Sequence, residues 1–249
     1  MRKLLVLIGL VVVTPTFADV LSVGLSGGVF DYSVSGTVRD SADPANTIDV
    51  KSELGWQDSS EGMGYLYIRH PIPVLPNIRL GTTSLQLGGT GTLTQDYVYN
   101  GVTYTASETV NSSIDLSHTE IALYYNLLDT FMSVDLGLNF KIFDGKFEIT
   151  GSTSGSTSTA FNQTVPMLYA SVAVPIPGTG FKVAGDISTT SYNHSTMTDY
   201  LLRLRYDTDF FLGVEAGYRS LHIDYQDSGS NEYATLDLTG PYLMATLTF

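Results

Sequence analysis

Met132-Ser133-Val134-Asp135-Leu136-Gly137-Leu138-Asn139-Phe140-Lys141-Ile142 is the stretch whose reading decides the fold. Met132, Val134, Leu136, Leu138, Phe140 and Ile142 are apolar, and the residues between them are Ser133, Asp135, Gly137, Asn139 and Lys141. Successive side chains of a strand point to opposite faces, so this stretch reads as a strand with one wholly apolar face and one small or polar face. A helix would scatter the two kinds around its circumference.

The same phase recurs outward from that strand. Leu202, Leu204 and Tyr206 alternate with Arg203 and Arg205, and Leu212, Val214, Ala216 and Tyr218 alternate with Gly213, Glu215, Gly217 and Arg219. Segments of about 9 to 11 residues match a tilted strand crossing the hydrocarbon layer. A soluble β-sandwich also alternates. The uninterrupted apolar faces, and connections that alternate short and long, favour a membrane barrel. Short links lie at 71–77, 128–130, 175–180 and 207–209; long polar stretches lie at 39–61, 88–113, 145–159, 191–198 and 226–232. The expected fold is an all-β, transmembrane, antiparallel up-and-down β-barrel of about ten strands. They fall near residues 20–37, 62–72, 77–88, 114–127, 131–143, 164–175, 180–190, 199–206, 210–225 and 232–249. An even number puts both termini on the periplasmic side, with the long loops outside.

The amino terminus sets the compartment. Met1-Arg2-Lys3 is a positive head, residues 4–13 are apolar, and Thr16 and Ala18 are the small residues of a cleavage site. Residues 1–18 therefore read as a signal peptide and 19–249 as a single outer-membrane barrel domain. Interrupted by Pro15, the apolar run is about half the roughly 20 residues of a spanning helix. At the other end Leu243, Ala245, Leu247 and Phe249 share a face and an aromatic closes the chain. That ending resembles the terminal strand through which the outer-membrane assembly machinery takes up its substrates. Tyr125, Phe131, Phe181, Tyr206, Phe210 and Phe249, near expected strand ends, suit an interfacial girdle.

Composition narrows the partners. With no cysteine there are no disulfides or thiolate metal sites. Loss of Arg2 and Lys3 takes the basic residues from 12 to 10 against 25 Asp and Glu, a mature formal charge of −15. So acidic a chain is no nucleic-acid binder. No cofactor is expected; the expected partners are outer-membrane lipid and lipopolysaccharide.

Turning the apolar faces outward places Arg69, Arg79, Lys141, Lys182, Arg203, Arg205 and Arg219 in the lumen, with Glu120, Asp135, Asp186 and Glu215. Arg39, Lys51 and Lys146 are left to the loops. A lipid-facing Arg or Lys at mid-depth costs about 2–4 kcal/mol, so alternation and charge placement agree. Such an interior is either a polar plug, completed by Tyr65, Tyr67, Tyr124 and Tyr242, or a narrow solute channel with a basic lumen. Ten strands lie near the filled end of the range of barrel sizes, which favours the plug. Asp31, Asp40, Asp43, Asp49, Glu53, Asp58, Glu61, Asp96, Glu108, Glu148, Asp227 and Glu232 fall at or beyond the strand tips. They read as solvated loop carboxylates that could also hold calcium or magnesium, although no calcium-loop spacing is present.

Several segments together resemble a family of small outer-membrane β-barrels named for a glycine pair in the first strand. The pair is Gly27-Gly28 within Val23-Gly24-Leu25-Ser26-Gly27-Gly28, with Phe30 where the family carries tryptophan nearby. Further segments are His70-Pro71-Ile72-Pro73, Asn126-Leu127-Leu128-Asp129, Val165-Pro166-Met167, Glu215-Ala216-Gly217-Tyr218-Arg219 and Gly240-Pro241-Tyr242. The resemblance implies an outer-membrane barrel and no established activity. A surface hydrolase is the third reading, since a His beside a carboxylate can act as a general base. The material is His222 with Asp224 or Asp227, His194 with Asp199, and His118 with Glu120. No nucleophile elbow or metal motif accompanies them, so the chain is expected not to be an enzyme. The function expected is an envelope-structural or surface-binding one.

Overall fold

A computed structural model describes residues 21–40, 46–208, 210–227, 229 and 232–249. The expected signal peptide, Asp19, Asp43 and Asp209 lie outside the described residues. The strands are β1 (Ser22–Asp40), β2 (Ile48–Asp49), β3 (Ser59–Arg69), β4 (Asn77–Thr83), β5 (Gln86–Thr92), β6 (Tyr97–Tyr99), β7 (Val102–Tyr104) and β8 (Thr109–Asp115). After them come β9 (His118–Asp129), β10 (Ser133–Gly151), β11 (Gly155–Pro175), β12 (Phe181–Tyr192), β13 (Ser195–Asp207), β14 (Leu212–Asp227) and β15 (Glu232–Thr248).

Ten of these close into an antiparallel barrel in the order β1, β3, β4, β9, β10, β11, β12, β13, β14, β15, with β15 pairing back onto β1. Closure leaves no open sheet edge in the hydrocarbon layer, where an unpaired backbone group would cost several kcal/mol. The alternation reads out as expected. Leu136 and Leu138 face outward and are about half exposed, whereas Asp135, Asn139 and Lys141 between them are buried inside. Leu25, Val29, Leu168, Val172, Leu202, Leu204, Val214 and Leu243 continue this outer apolar belt around the barrel. Tyr125, Phe131, Phe181, Tyr206, Phe210 and Phe249 are exposed, all near the periplasmic ends of their strands or in the turns there. The belt and girdle make this an integral outer-membrane barrel.

The glycine pair of the first strand divides its roles. A Cβ on Gly27 would meet nothing within 4 Å, but one on Gly28 would lie 1.9 Å from the Leu243 carbonyl oxygen of β15. Only the second glycine is needed for β1 and β15 to approach at the closing seam.

The outer loops differ from expectation. Residues 145–159 are not a loop: β10 and β11 stay paired as far as Gly151↔Gly155, rich in β-favouring Thr. Lys146 accordingly sits on β10 beside Glu148. Residues 191–198 form the tip of a tight hairpin, with Tyr192 opposite Ser195 and both turn residues, Asn193 and His194, left-handed at φ 49° and 68°. Two left-handed central residues suit the twist of a two-residue hairpin. Of residues 226–232, Gln226, Asp227 and Glu232 likewise belong to the paired ends of β14 and β15. The expected strand 77–88 breaks after Thr83, and its second half becomes β5 of the outer structure.

The two remaining long connections fold rather than float. β8 pairs with the upper part of β10, and β5 pairs with β8, which widens the β10–β11 arm into a sheet over the mouth. Ile48, Val50, Leu54, Trp56, Leu93, Tyr97 and Tyr104 are buried in this cap, and the Trp56 indole donates to Ser112 Oγ at 2.8 Å. Here the picture of solvated loop carboxylates needs correction. Glu108 is buried and accepts from the backbone N–H groups of Thr105, Thr153 and Ser154 and from the Ser154 hydroxyl. Glu53 is buried too, accepting from the backbone N–H groups of Asp49 and Thr94 and from the Thr94 hydroxyl. Loop N–H groups outside any ladder need acceptors, and these carboxylates supply them. The Ser154 hydroxyl and the Thr153 N–H, above all, hold the Glu108 carboxyl down to about 2, from an ordinary value of 4.5.

Candidate functional site

Inside the barrel the expected lumen residues meet in one layer. Lys141 Nζ lies 2.6 Å from Glu120 and 2.8 Å from Asp199. Arg79 bridges Glu120 at 2.9 Å and Asp186 at 3.0 Å. Arg203 pairs with the other Asp186 oxygen at 2.6 Å and lies 3.7 Å from Glu215, which accepts from the Tyr242 hydroxyl at 3.0 Å. Arg219 grips Asp199 with two nitrogens, at 2.7 and 3.0 Å, and donates to Thr83 at 2.9 Å. The chain Arg219, Asp199, Lys141, Glu120, Arg79, Asp186, Arg203, Glu215 thus alternates in sign, four cations with four carboxylates, and crosses the lumen.

Aromatic rings complete the circuit where strands give no charge. Arg79 stacks on Tyr65 of β3 and Tyr169 of β11, and Arg219 on Phe30 of β1. Every one of the ten barrel strands therefore contributes a side chain to the layer or its aromatic frame. Lys141 and Arg219 are wholly inaccessible to solvent. Charges so buried persist only when paired and hydrogen-bonded, because the desolvation of each ion costs several kcal/mol.

Expected lumen residues outside this layer lie toward the periplasm. Asp135 is buried between Arg69, at 3.3 Å, and the Asn126 amide, at 2.8 Å. Arg205 pairs with Asp207 at 2.7 Å and donates to Thr248. Lys182, half-buried, joins Arg69, Arg203 and Arg205 around a cavity of about 180 Å³ at that end. Of the expected tyrosines, Tyr65, Tyr124 and Tyr242 are buried in the lumen and Tyr67 is partly buried beside them.

Two members of the layer were not expected there. Asp199 read as a rim residue because its strand was expected to begin at 199, but β13 begins at Ser195, which carries Asp199 into the lumen. Its phase with Leu201, Arg203 and Arg205 was the available signal. His118 is buried, its Nδ1 donating to the Leu116 carbonyl, which leaves Nε2 to accept from Lys141 and Arg219 at 3.3 and 3.4 Å. The histidine pairs considered for a hydrolase are arranged otherwise. His222 meets Asp237 of the neighbouring strand at 2.7 Å, on the outer face, rather than Asp224. His194 stands at a hairpin tip while Asp199 is bound to Arg219 and Lys141.

Above the layer the lumen changes character. A cavity of about 290 Å³ opens there, lined chiefly by apolar side chains, among them Phe143, Phe161, Val165, Met197, Ile223 and Leu236. The lumen thus runs from a basic periplasmic pocket, through a charge-balanced layer, to an apolar outer vestibule.

Belt, closure and polar interior together define a bacterial outer-membrane β-barrel. No protein-family model and no curated relative matches the chain. Among solved structures it is similar to the transport unit of the autotransporter AIDA-I from Escherichia coli, at 8% identity and a TM-score of 0.39, over 92% of this chain and 88% of that one. It is also similar to the translocator domain of the autotransporter NalP from Neisseria meningitidis, at 12% identity and a TM-score of 0.38, over 90% and 87%. A third likeness is to a TodX monoaromatic hydrocarbon channel mutant, at 10% identity and a TM-score of 0.28, over 94% and 91%. The barrel rests on its own strand closure rather than on these distant likenesses.

Proposed function

We propose that this protein is a non-conducting outer-membrane barrel whose lumen is closed by the charge layer and whose working surface is the extracellular cap and vestibule. The observation that carries the reading is the unbroken alternation of four cations and four buried carboxylates from six strands, framed by aromatic rings from the other four. A channel for ions or sugars holds water along its axis, and its wall charges stay hydrated. Here the charges neutralise one another at hydrogen-bond distance, which supports a structural partition instead. The apolar vestibule above it supports binding at the outer face, in contact with outer-leaflet lipid and lipopolysaccharide. Entry into the membrane is through the assembly machinery, with the outward apolar face of β15, Leu243, Ala245 and Leu247, as the surface offered to it. Liposome swelling tests the closed lumen: vesicles loaded with this protein should take up small sugars and amino acids no faster than empty ones. Rapid, size-limited swelling would establish the narrow channel instead.

A further inference from the structure

We infer that the apolar vestibule is a binding site for a single linear acyl chain, reached through a lateral notch in the wall between β11 and β12. This rests on the reading that the barrel works at its outer face, and it does not depend on the lumen being closed to ions. The cavity, about 290 Å³, lies at the lower end of the roughly 300–1,000 Å³ typical of ligand pockets. Its walls offer aliphatic and aromatic surface from β10, β11, β13, β14 and β15, which selects an apolar ligand. A charged or sugar-like one would lose its hydration there without replacement.

The notch is written in the strand pairing. β11 stays paired with β10 along its whole length, but its ladder with β12 begins only at Leu168↔Thr189. Among the described residues, β11 from Gly155 to Met167 has no ladder partner on that side, whereas β12 beyond Thr189 continues to pair with β13 up to Tyr192↔Ser195. Pro166, which has no N–H to give, sits where the ladder stops. The inward side chains of this unpaired stretch, Thr159, Phe161, Gln163 and Val165, are themselves cavity lining. On the outer face the apolar belt of β11 ends at Leu168 and gives way to Thr164 and Asn162, so the notch lies at the upper margin of the belt. That is the level of the lipid headgroups, where an acyl chain can leave the leaflet.

The test is photo-crosslinking of the full protein in phospholipid vesicles. One arm uses palmitate bearing a mid-chain diazirine, and the other a phosphatidylethanolamine bearing the same group in one acyl chain. Adducts mapped to Phe161, Val165, Ile223 or Leu236 are expected; palmitate alone giving them identifies a free acid as the source, and the phospholipid giving them identifies the leaflet. Val165→Trp and, independently, Ala234→Trp should cut the vestibule adducts about tenfold, equivalent to expelling roughly two methylenes from apolar surroundings, while adducts on Leu202 and Leu243 stay constant. Heat-modifiable gel mobility reports which variants are folded. Adducts confined to the outer belt in both arms, or vestibule adducts unchanged in a folded filled variant, overturn the proposal. Neither result would bear on whether the lumen passes ions.

Discussion

Removing one charge from the layer gives a measurable test of how it holds the barrel together. Glu120→Gln keeps the side-chain volume and leaves one amide oxygen for either Arg79 or Asn139, which bond different oxygens of the carboxylate, but it takes the negative charge from two cations 2.6 and 2.9 Å away. The site is inaccessible to water, so the layer is left with four cations and three carboxylates. Breaking a buried pair in this way costs about 3–5 kcal/mol, against about 0.2–1 kcal/mol for an exposed one. With a urea slope of roughly 2–3 kcal/mol/M, the unfolding midpoint should fall by about 1–2 M. The assay is reversible urea unfolding from lipid vesicles, followed by heat-modifiable gel mobility. Adding Lys141→Met restores equal numbers, three and three, and should recover at least half of the loss, because an apolar side chain of similar length needs no counter-ion. A single variant that costs less than about 1 kcal/mol, as an exposed pair would, refutes the claim that these charges are buried partners.

Other expectations follow from particular contacts. Gly28→Val should prevent closure, since its Cβ would overlap the Leu243 carbonyl, while Gly27→Ala should fold normally; folded yield after expression separates the two. Leu138→Arg should destabilise the barrel by about 2–4 kcal/mol through its lipid-facing position, and urea unfolding in vesicles gives the value. Glu108 makes the cap acid-sensitive. Its carboxyl is held down to about 2 when folded, so its contribution is complete above the ordinary value of 4.5 and is lost as pH falls from there toward 2. Protease cleavage near Thr153 and Ser154 should therefore rise over that acid interval in the native protein, and already be high and flat with pH in Glu108→Gln.

The barrel was legible because one physical rule governs each of its strands. Lipid on one side and a polar interior on the other force every second residue to be apolar, and a slip of one residue would expose Arg203, Arg205 and Lys141 to hydrocarbon. The same rule placed Arg79, Glu120, Asp186, Glu215 and Arg219 inside. It could not show who pairs with whom, since Arg79 and Asp186 are more than a hundred positions apart and meet only across the closed lumen. Asp199 was missed because polar residues at strand ends give no boundary signal: Ser195 to Thr198 read as loop and fold as strand. The cap was illegible for a related reason. Ile48, Leu54, Trp56, Leu93 and Tyr97 are buried at irregular spacing from two separate connections, and their core exists only once β8 has docked on β10. Alternation also hid the vestibule, because Phe143, Phe147 and Phe161 occupy inward positions that the pattern assigns to polar groups.

The closed charge layer is tested most directly by electrical recording. Purified protein inserted into a planar lipid bilayer at moderate salt should pass no steady current over a range of voltages, at the same insertion level that gives open steps with a general porin. Reproducible ohmic steps of uniform size from the unaltered protein would mean that water and ions cross between Arg79, Lys141 and their carboxylates, and would contradict the account.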